Sequence, residues 1–245
     1  MGFLDWWLDL LYPPKAKCAL CGRGRAGGVD EDLCIVCKEE LAAWRQQLRP
    51  CRRCGRLGAG EGTCPDCQQV PPAFSLARAV GPYQGVIREA VQRLKYGGGR
   101  RLAKPLGRMM AKEVLGEAAF GKPELVVPVP LSEARSRERG YNQSALLAAE
   151  LAMGLGIPSM PGLLAKHRET LSQARLHRPE RLRNLSGAFV VLEPKVLAGK
   201  QVLLVDDILT TGATAGECAR VLKAAGASRV VVITVATALS RDSQL

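Results

Sequence analysis

The chain has 245 residues, of which 47% are hydrophobic, and its formal net charge is +12. This length provides one full-sized core and a small additional module, and no apolar run reaches the length of a membrane span. The apolar N-terminus Met1–Tyr12 contains Asp5 and Asp9 but no basic residue, so it is not a secretory signal. We interpret it as a short amphipathic helix, and we expect a cytoplasmic protein.

Four Cys-x-x-Cys pairs follow within the first 70 residues. They predict two tetrahedral zinc sites of four thiolates each, because a disulfide framework would need an oxidising compartment and a redox motif needs one pair only. So small a module has too little core to fold alone, and metal binding would supply its folding energy. The simpler assignment is sequential, and a crossed one stays open. Sequential pairing puts Cys18, Cys21, Cys34 and Cys37 on one ion, and Cys51, Cys54, Cys64 and Cys67 on the other.

Two prolines at 71 and 72 close this module, so we divide the chain into an N-terminal helix and double zinc ribbon, residues 1–70, and a second domain, residues 71–245. In the second domain the patterns predict strands at 74–82, 124–127 and 189–192 and helices at 86–96, 102–120 and 142–155. This alternation predicts an α/β fold with a parallel sheet flanked by helices.

The charge surplus lies in the middle of the chain, where residues 71–200 contain 21 basic and 10 acidic residues. A basic face attracts pyrophosphate-bearing substrates or nucleic acid, although it can also be an ordinary solvated surface. One concentration follows the strand predicted at 124–127, which ends in the rigid turn of Val129, Pro130 and Leu131. Guanidinium groups match diphosphate oxygens. The neighbouring arginines are Arg135, Arg137 and Arg139.

A second basic segment covers residues 166–184 and includes Arg168, Thr170 and Gln173. It is polar and lacks a clear apolar period. This pattern is typical of a mobile lid over a charged substrate, and a basic surface loop is the alternative.

Residues 202–214 read Val-Leu-Leu-Val-Asp-Asp-Ile-Leu-Thr-Thr-Gly-Ala-Thr. The apolar run at 202–205 predicts a strand buried on both faces, and Asp206 and Asp207 come where it ends, at the edge where such sheets bind ligands. A helix is predicted at 215–225 and a strand at 230–235. Free N–H groups at the helix start favour an anion, whereas paired carboxylates accept hydrogen bonds from vicinal hydroxyls. The loop between them is Thr210, Thr211, Gly212, Ala213 and Thr214, and the whole pattern predicts a ribose 5-phosphate pocket.

Two other classes of protein place acids after an apolar strand. A receiver domain would have a long domain after its acids, whereas only a short segment follows here. A P-loop ATPase needs its own phosphate loop, and the near match at 116–122 is followed by Pro123 instead of a hydroxyl residue. Both classes are therefore disfavoured.

Residues 202–214 resemble the phosphoribosyl-pyrophosphate (PRPP) motif of type I phosphoribosyltransferases. The order of cysteine pairs, Leu94-Lys95-Tyr96, Val-Pro-Val-Pro, Arg139-Gly-Tyr-Asn-Gln143, Arg168-x-Thr170-x-x-Gln173 and this motif resembles the ComF family of competence-associated proteins. The resemblance implies a type I phosphoribosyltransferase fold behind a double zinc ribbon. It implies catalytic roles for Asp206, Asp207 and Arg168. It also implies substrate contacts by the 210–214 loop, by residues 129–131, and by Lys95, Arg139, Thr170 and Gln173.

Two functions follow as hypotheses. In the first, the protein binds PRPP with magnesium and transfers phosphoribose to a nitrogen acceptor that the sequence does not specify. In the second, it is a single-stranded DNA-binding adaptor that works with the competence machinery, and the sugar site is a sensor or a relic. Aromatic residues make up only 4% of the chain, so phosphate contacts would dominate any DNA binding.

Overall fold

The computed structural model describes residues 17–23, 33–60, 62–96, 99–168 and 184–240. The predicted N-terminal helix lies outside the described residues, as do Thr170 and Gln173 of the basic segment.

Four strands form a parallel sheet in the order β1-β6-β5-β2. They are β1 Leu76–Pro82, β2 Leu125–Pro128, β5 Gln201–Leu209 and β6 Arg229–Thr237. A separate antiparallel pair consists of β3 Leu164–Lys166 and β4 Phe189–Val191. The predicted α/β class is confirmed. The sequence did not indicate β3, whose three residues are too short for a recognisable period.

Helices cover both faces of the sheet, which explains the continuous apolar runs of its strands. The helices after residue 71 are α3 Gly85–Tyr96, α4 Ala103–Gly116, α5 Glu133–Arg139, α6 Gln143–Leu155 and α7 Ala213–Ala224. Leu203 and Val205 of β5 pack in one hydrophobic cluster with α3, α4 and α6, whereas Val202 and Leu204 pack in another with α7.

Two of these helices differ from the sequence predictions. The predicted helix at 102–120 ends at Gly116, and a separate 3-10 turn, Ala118–Phe120, follows the extended residue Glu117. The arginines after the proline turn lie on α5, a helix that the sequence patterns did not predict. Ser132 begins this helix, and Gly140, in the left-handed conformation, ends it.

The cysteine-rich segment contains helices α1 Ile35–Gln47 and α2 Pro65–Gln69, each beginning directly after a cysteine. This segment shares its core with the sheet. The first cysteine group and Leu41 belong to the cluster of α3, α4 and α6, and the second group belongs to the cluster of α7 together with Phe74. The cysteine-rich segment is therefore packed against the sheet and its helices rather than tethered to them.

Candidate functional site

Asp206 and Asp207 lie within β5, and not after it as the sequence suggested. β5 stays paired with β6 as far as Leu209, whereas its pairing with β2 stops at Val205. The Val129 N–H makes a last bond to the Val205 carbonyl at 2.8 Å, and the next residue, Pro130, has no N–H to continue the ladder. The two acids therefore occupy the stretch of β5 where one edge has no strand partner.

The Asp206 carboxylate is held by α6. Ser144 donates its hydroxyl to Oδ1 at 2.8 Å, and the Asp207 backbone N–H donates to the same oxygen at 2.9 Å. Burial raises the pKa of Asp206 to about 7, and the charge of Asp207 adds to the rise, while the Ser144 hydrogen bond opposes it. One acid of the pair thus titrates near neutral pH.

The Asp207 carboxylate is paired with a lysine from a distant helix. Lys95, near the C-terminal end of α3, places Nζ 3.1 Å from Oδ2 of Asp207, and the two side chains are only 16% and 7% exposed. The structure therefore joins two of the predicted site residues directly. A hydroxyl approaching Asp207 would have to share this carboxylate with Lys95 or displace it.

The loop after β5 leads straight into α7, which begins at Ala213, earlier than predicted. Gly212 has a φ of +76°, a left-handed conformation that glycine adopts without strain, and Phe74 lies beneath it. The Ala213 N–H donates to the Thr211 hydroxyl at 3.4 Å. The first amide of α7 thus lies beside a hydroxyl, and amides and hydroxyls at a helix N-terminus suit a phosphate.

The corner between α5 and α6 lies beside the acids. Asn142 caps α6 by accepting the Ser144 N–H at 2.9 Å, and its Nδ2 donates to the Val129 carbonyl at 3.0 Å. Asn142 thereby ties the proline turn to the helix that holds Asp206. Sequence reasoning missed the roles of Asn142 and Ser144, although Asn directly before an apolar helix is a recognised capping signal.

Arg139 is brought to the same corner. Its Nη1 donates to the Gln143 side chain at 3.0 Å and its Nη2 to the Tyr96 hydroxyl at 3.1 Å, with the guanidinium 5.0 Å from the Tyr96 ring centroid. Arg139 thus contacts Tyr96, the residue next to Lys95 on α3.

Arg168 makes different contacts. Its Nη2 donates to the carbonyls of Asn184 and Ser186 at 3.1 and 2.8 Å, so it joins the two ends of the basic segment. The Gly187 N–H donates to Glu217 at 2.7 Å, so the chain just after the basic segment is attached to α7. The catalytic role of Arg168 remains a prediction, and Thr170 and Gln173 lie outside the described residues.

The cysteines converge in two groups of four. One group comprises Cys18, Cys21, Cys34 and Cys37 and the other Cys51, Cys54, Cys64 and Cys67, and within each group the sulfurs lie within 4.8 Å of one another. This is the sequential grouping. In the second group a hydrogen bond from Cys67 lowers the pKa of Cys54 to about 5. Four thiols that share protons in this way suit a single thiophilic cation.

Comparison with known proteins agrees with both halves. Residues 7–68 match the double zinc ribbon domain, and residues 106–244 match the phosphoribosyl transferase domain. Over 82% of this chain and 88% of its relative, the sequence is 35% identical to DNA utilization protein YhgH of Salmonella typhi. It is 27% identical to Competence protein F of Haemophilus influenzae, over 91% of this chain and 97% of that protein. It is 29% identical to Competence protein ComFC of Bacillus subtilis, over 83% and 85%.

The chain belongs to the ComF family. The double zinc ribbon match includes all eight clustered cysteines, so zinc is the metal that the ComF ribbon and its donor sets support. The phosphoribosyl transferase match includes Asp206, Asp207 and the 210–214 loop, and begins after Lys95. In the described part of this ComF chain, no helix is both long and apolar enough to span a membrane.

Proposed function

We propose that this ComF-family chain binds PRPP together with magnesium and transfers its phosphoribose to a nitrogen acceptor. The observation that carries the proposal is the placement of Asp206 and Asp207 on the stretch of β5 that has no partner on its β2 side, with only Ile208 and Leu209 between them and a hydroxyl-lined loop that leads into a helix N-terminus. The carboxylates can accept hydrogen bonds from the ribose hydroxyls, and the neighbouring amides and hydroxyls can donate to the phosphate. Together they match the two ends of a ribose 5-phosphate.

The 5-phosphate would bind at the loop of residues 210–214, where the Thr211 and Thr214 hydroxyls and the first amides of α7 offer donors without a lysine. The ribose hydroxyls would donate to Asp206 and Asp207. Ser144 already occupies Oδ1 of Asp206, so it fixes the carboxylate in one orientation before substrate arrives.

The diphosphate would lie against the turn of Val129, Pro130 and Leu131, with Arg139 and Lys95 supplying positive charge. Arg139 is anchored through Gln143 and Tyr96, which limits its movement. Lys95 would be available to the diphosphate once the ribose hydroxyls take over its position on Asp207. Magnesium would enter with PRPP and neutralise charge on the diphosphate oxygens.

In the reaction, the lone pair of the acceptor nitrogen attacks C1 of the ribose while the bond from C1 to the diphosphate oxygen breaks. The electron pair of that bond leaves with the diphosphate, and the nitrogen releases its proton to water. Positive charge develops on the sugar ring as the bond to the diphosphate breaks, and the ionised carboxylates of Asp206 and Asp207 stabilise this charge electrostatically. The acceptor base or amine is to be identified by experiment.

Calorimetry with PRPP and magnesium tests the binding step. The double variant Asp206→Asn with Asp207→Asn should lose PRPP affinity and keep its fold, whereas Glu193→Gln, which changes an exposed acid away from the site, should bind as the wild type does. Unchanged affinity in the double variant would refute the proposal. Incubation with a panel of bases, scored for diphosphate release, then tests transfer and names the acceptor.

We also propose single-stranded DNA binding, with or without catalysis, as a second function. Exposed basic side chains on α4, on α5 and in the turn before α4 favour it, and the relatives named for DNA utilization and competence point to the same process. They are Arg100, Arg101, Lys104, Arg108, Arg135 and Arg137, and Arg100 connects the two groups by donating to the Gly140 carbonyl at the end of α5 at 3.1 Å. Contacts with phosphates predict affinity that falls steeply with salt. An affinity for single-stranded DNA that does not change with salt concentration, or no DNA binding at all, would exclude the adaptor function.

A further inference from the structure

The two cysteine groups contain the same tripeptide in different surroundings. Cys21-Gly22-Arg23 belongs to the first group and Cys54-Gly55-Arg56 to the second, and the two glycines have φ values of +70° and +67°. The side chain of Arg23 is 77% exposed, and its nearest acidic partner is Glu89 at 3.8 Å. The side chain of Arg56 is 18% exposed. We call the Cys54-Gly55-Arg56 turn the second knuckle, and its arginine is half-buried where the arginine of the first group is exposed.

The second knuckle is attached to the sheet by backbone contacts. The Ala77 N–H of β1 donates to the Arg53 carbonyl at 2.8 Å, and the Ser240 N–H after β6 donates to the Leu57 carbonyl at 2.8 Å. At Gly55 the approach is so close that a Cβ would lie 2.3 Å from the Ala77 carbonyl oxygen. These contacts fix Arg56 relative to the strand ends.

Arg56 connects the second cysteine group to the loop that follows β5. Its Nη1 donates to Asp66 at 2.7 Å, and its Nη2 lies 3.5 Å from the Thr210 carbonyl oxygen. Asp66 lies between Cys64 and Cys67, and Arg56 follows Cys54 by two residues. Both members of this ion pair are thus held by residues of the cysteine group.

The cleft between the knuckle and the loop shows how the charge is distributed. Arg56 and Asp66 line one side, and Thr210, Thr211 and Gly212 line the other. The loop itself, residues 210–214, contains no charged side chain. Arg56 is the one cationic side chain among the described residues that line this cleft.

We propose that Arg56 is a positioning residue of the phosphoribose loop, and that through it the second cysteine group sets how tightly this loop binds a sugar phosphate. Arg56 holds the first carbonyl of the loop, which limits the conformations of the amides that follow. The first cysteine group has no such connection to the loop among the described residues. Its arginine contact is with α3 instead, where Arg93 donates to the carbonyls of Ala19 and Leu20. This inference rests on the proposed function only in taking the loop as a phosphate site.

The test compares Arg56→Gln with Arg23→Gln, the same change in the same tripeptide. Two readouts are measured on the full chain: ribose 5-phosphate affinity by calorimetry, and hydrogen exchange of the amides at residues 210–216 without ligand. Arg56→Gln should lose roughly tenfold in affinity, as expected for one charge-assisted hydrogen bond, and should exchange faster in the loop while keeping its zinc content. Arg23→Gln should match the wild type in both.

Wild-type affinity and exchange in Arg56→Gln would overturn the inference, and so would full affinity in Arg56→Lys, since a lysine keeps the charge but cannot span Asp66 and Thr210. If Arg56→Gln loses zinc, Asp66→Asn removes the anchor of Arg56 instead and is measured in the same way. If the wild type fails to bind ribose 5-phosphate, the proposed function fails, and the exchange comparison alone still decides the role of Arg56.

Discussion

Replacing Asp206 by asparagine should abolish PRPP binding and at the same time stabilise the protein at alkaline pH. The native pKa of Asp206 is about 7, raised from 3.8 by burial and by the charge of Asp207. Between these values the native state binds more protons than the unfolded state, so the stability of the wild type falls as the pH rises through this window. Well above pH 7 the charge of this half-buried carboxylate is present in full and its cost is complete.

The magnitude follows from the shift. At about 1.4 kcal/mol per pH unit, a rise of about three units corresponds to about 4 kcal/mol. Asp206 shares this cost with Asp207 and Lys95, so we expect the neutral variant to recover about 1–4 kcal/mol. Asparagine keeps an oxygen that can accept from Ser144 and from the Asp207 N–H, and its new N–H groups can donate to Asp207.

Thermal unfolding of the wild type and of Asp206→Asn at pH 4.5 and at pH 8.5 measures the recovered stability. For a chain of this size the gain at pH 8.5 should raise Tm by roughly 2–4 °C per kcal/mol, and the two proteins should differ little at pH 4.5. A Tm difference that is the same at both pH values, or a variant that is less stable at pH 8.5, would refute the account of Asp206 as a buried charge kept at a cost in stability.

Three further predictions concern the surroundings of the site. Lys95→Met removes the cation 3.1 Å from Asp207, so the free energy of unfolding measured in urea at pH 8 should fall by about 1–3 kcal/mol. Lys104→Met, on the exposed face of α4, should change this free energy little. Gly55→Ala, with a positive φ and a Cβ 2.3 Å from the Ala77 carbonyl oxygen, should cost at least about 2 kcal/mol more than Gly60→Ala, which has a similar φ of +73° and open space around it. Equal costs would contradict the close docking of the knuckle. Metal analysis should give two zinc ions per chain, one for each cysteine group, and Cys18→Ser with Cys37→Ser should leave one; protein purified without chelators that contains none would contradict the zinc assignment.

Local patterns were sufficient for much of this architecture. The spacing of the cysteines favoured the sequential grouping because the two members of each pair are only three residues apart, in a tight turn or at the start of a helix, and the apolar run before Asp206 indicated a buried strand because both its faces are covered. The family was recognised from the order of short motifs along the chain, and the comparisons confirm it. The roles of the site residues remain predictions.

What the sequence did not indicate depends on contacts between distant segments. The partner of Lys95 could not be predicted, because Lys95 and Asp207 lie on segments far apart in the sequence that only the tertiary fold brings together. The extent of β5 depends on where its neighbours end, since β6 continues to pair beyond Val205 and β2 does not. The difference between Arg23 and Arg56 was also invisible, because identical tripeptides encode the same turn and only the docking surface separates them.

The contact between Leu57 and Leu239 has a consequence for biosynthesis. Leu57 forms a parallel bridge with Leu239, just after the last strand of the sheet. A ribosome that adds roughly 5–20 residues per second needs roughly ten to forty seconds to travel from one leucine to the other. Throughout that interval the second knuckle lacks the part of its docking surface that follows β6, so its thiols must bind their ion, or be kept reduced, before the segment that completes this surface has been made.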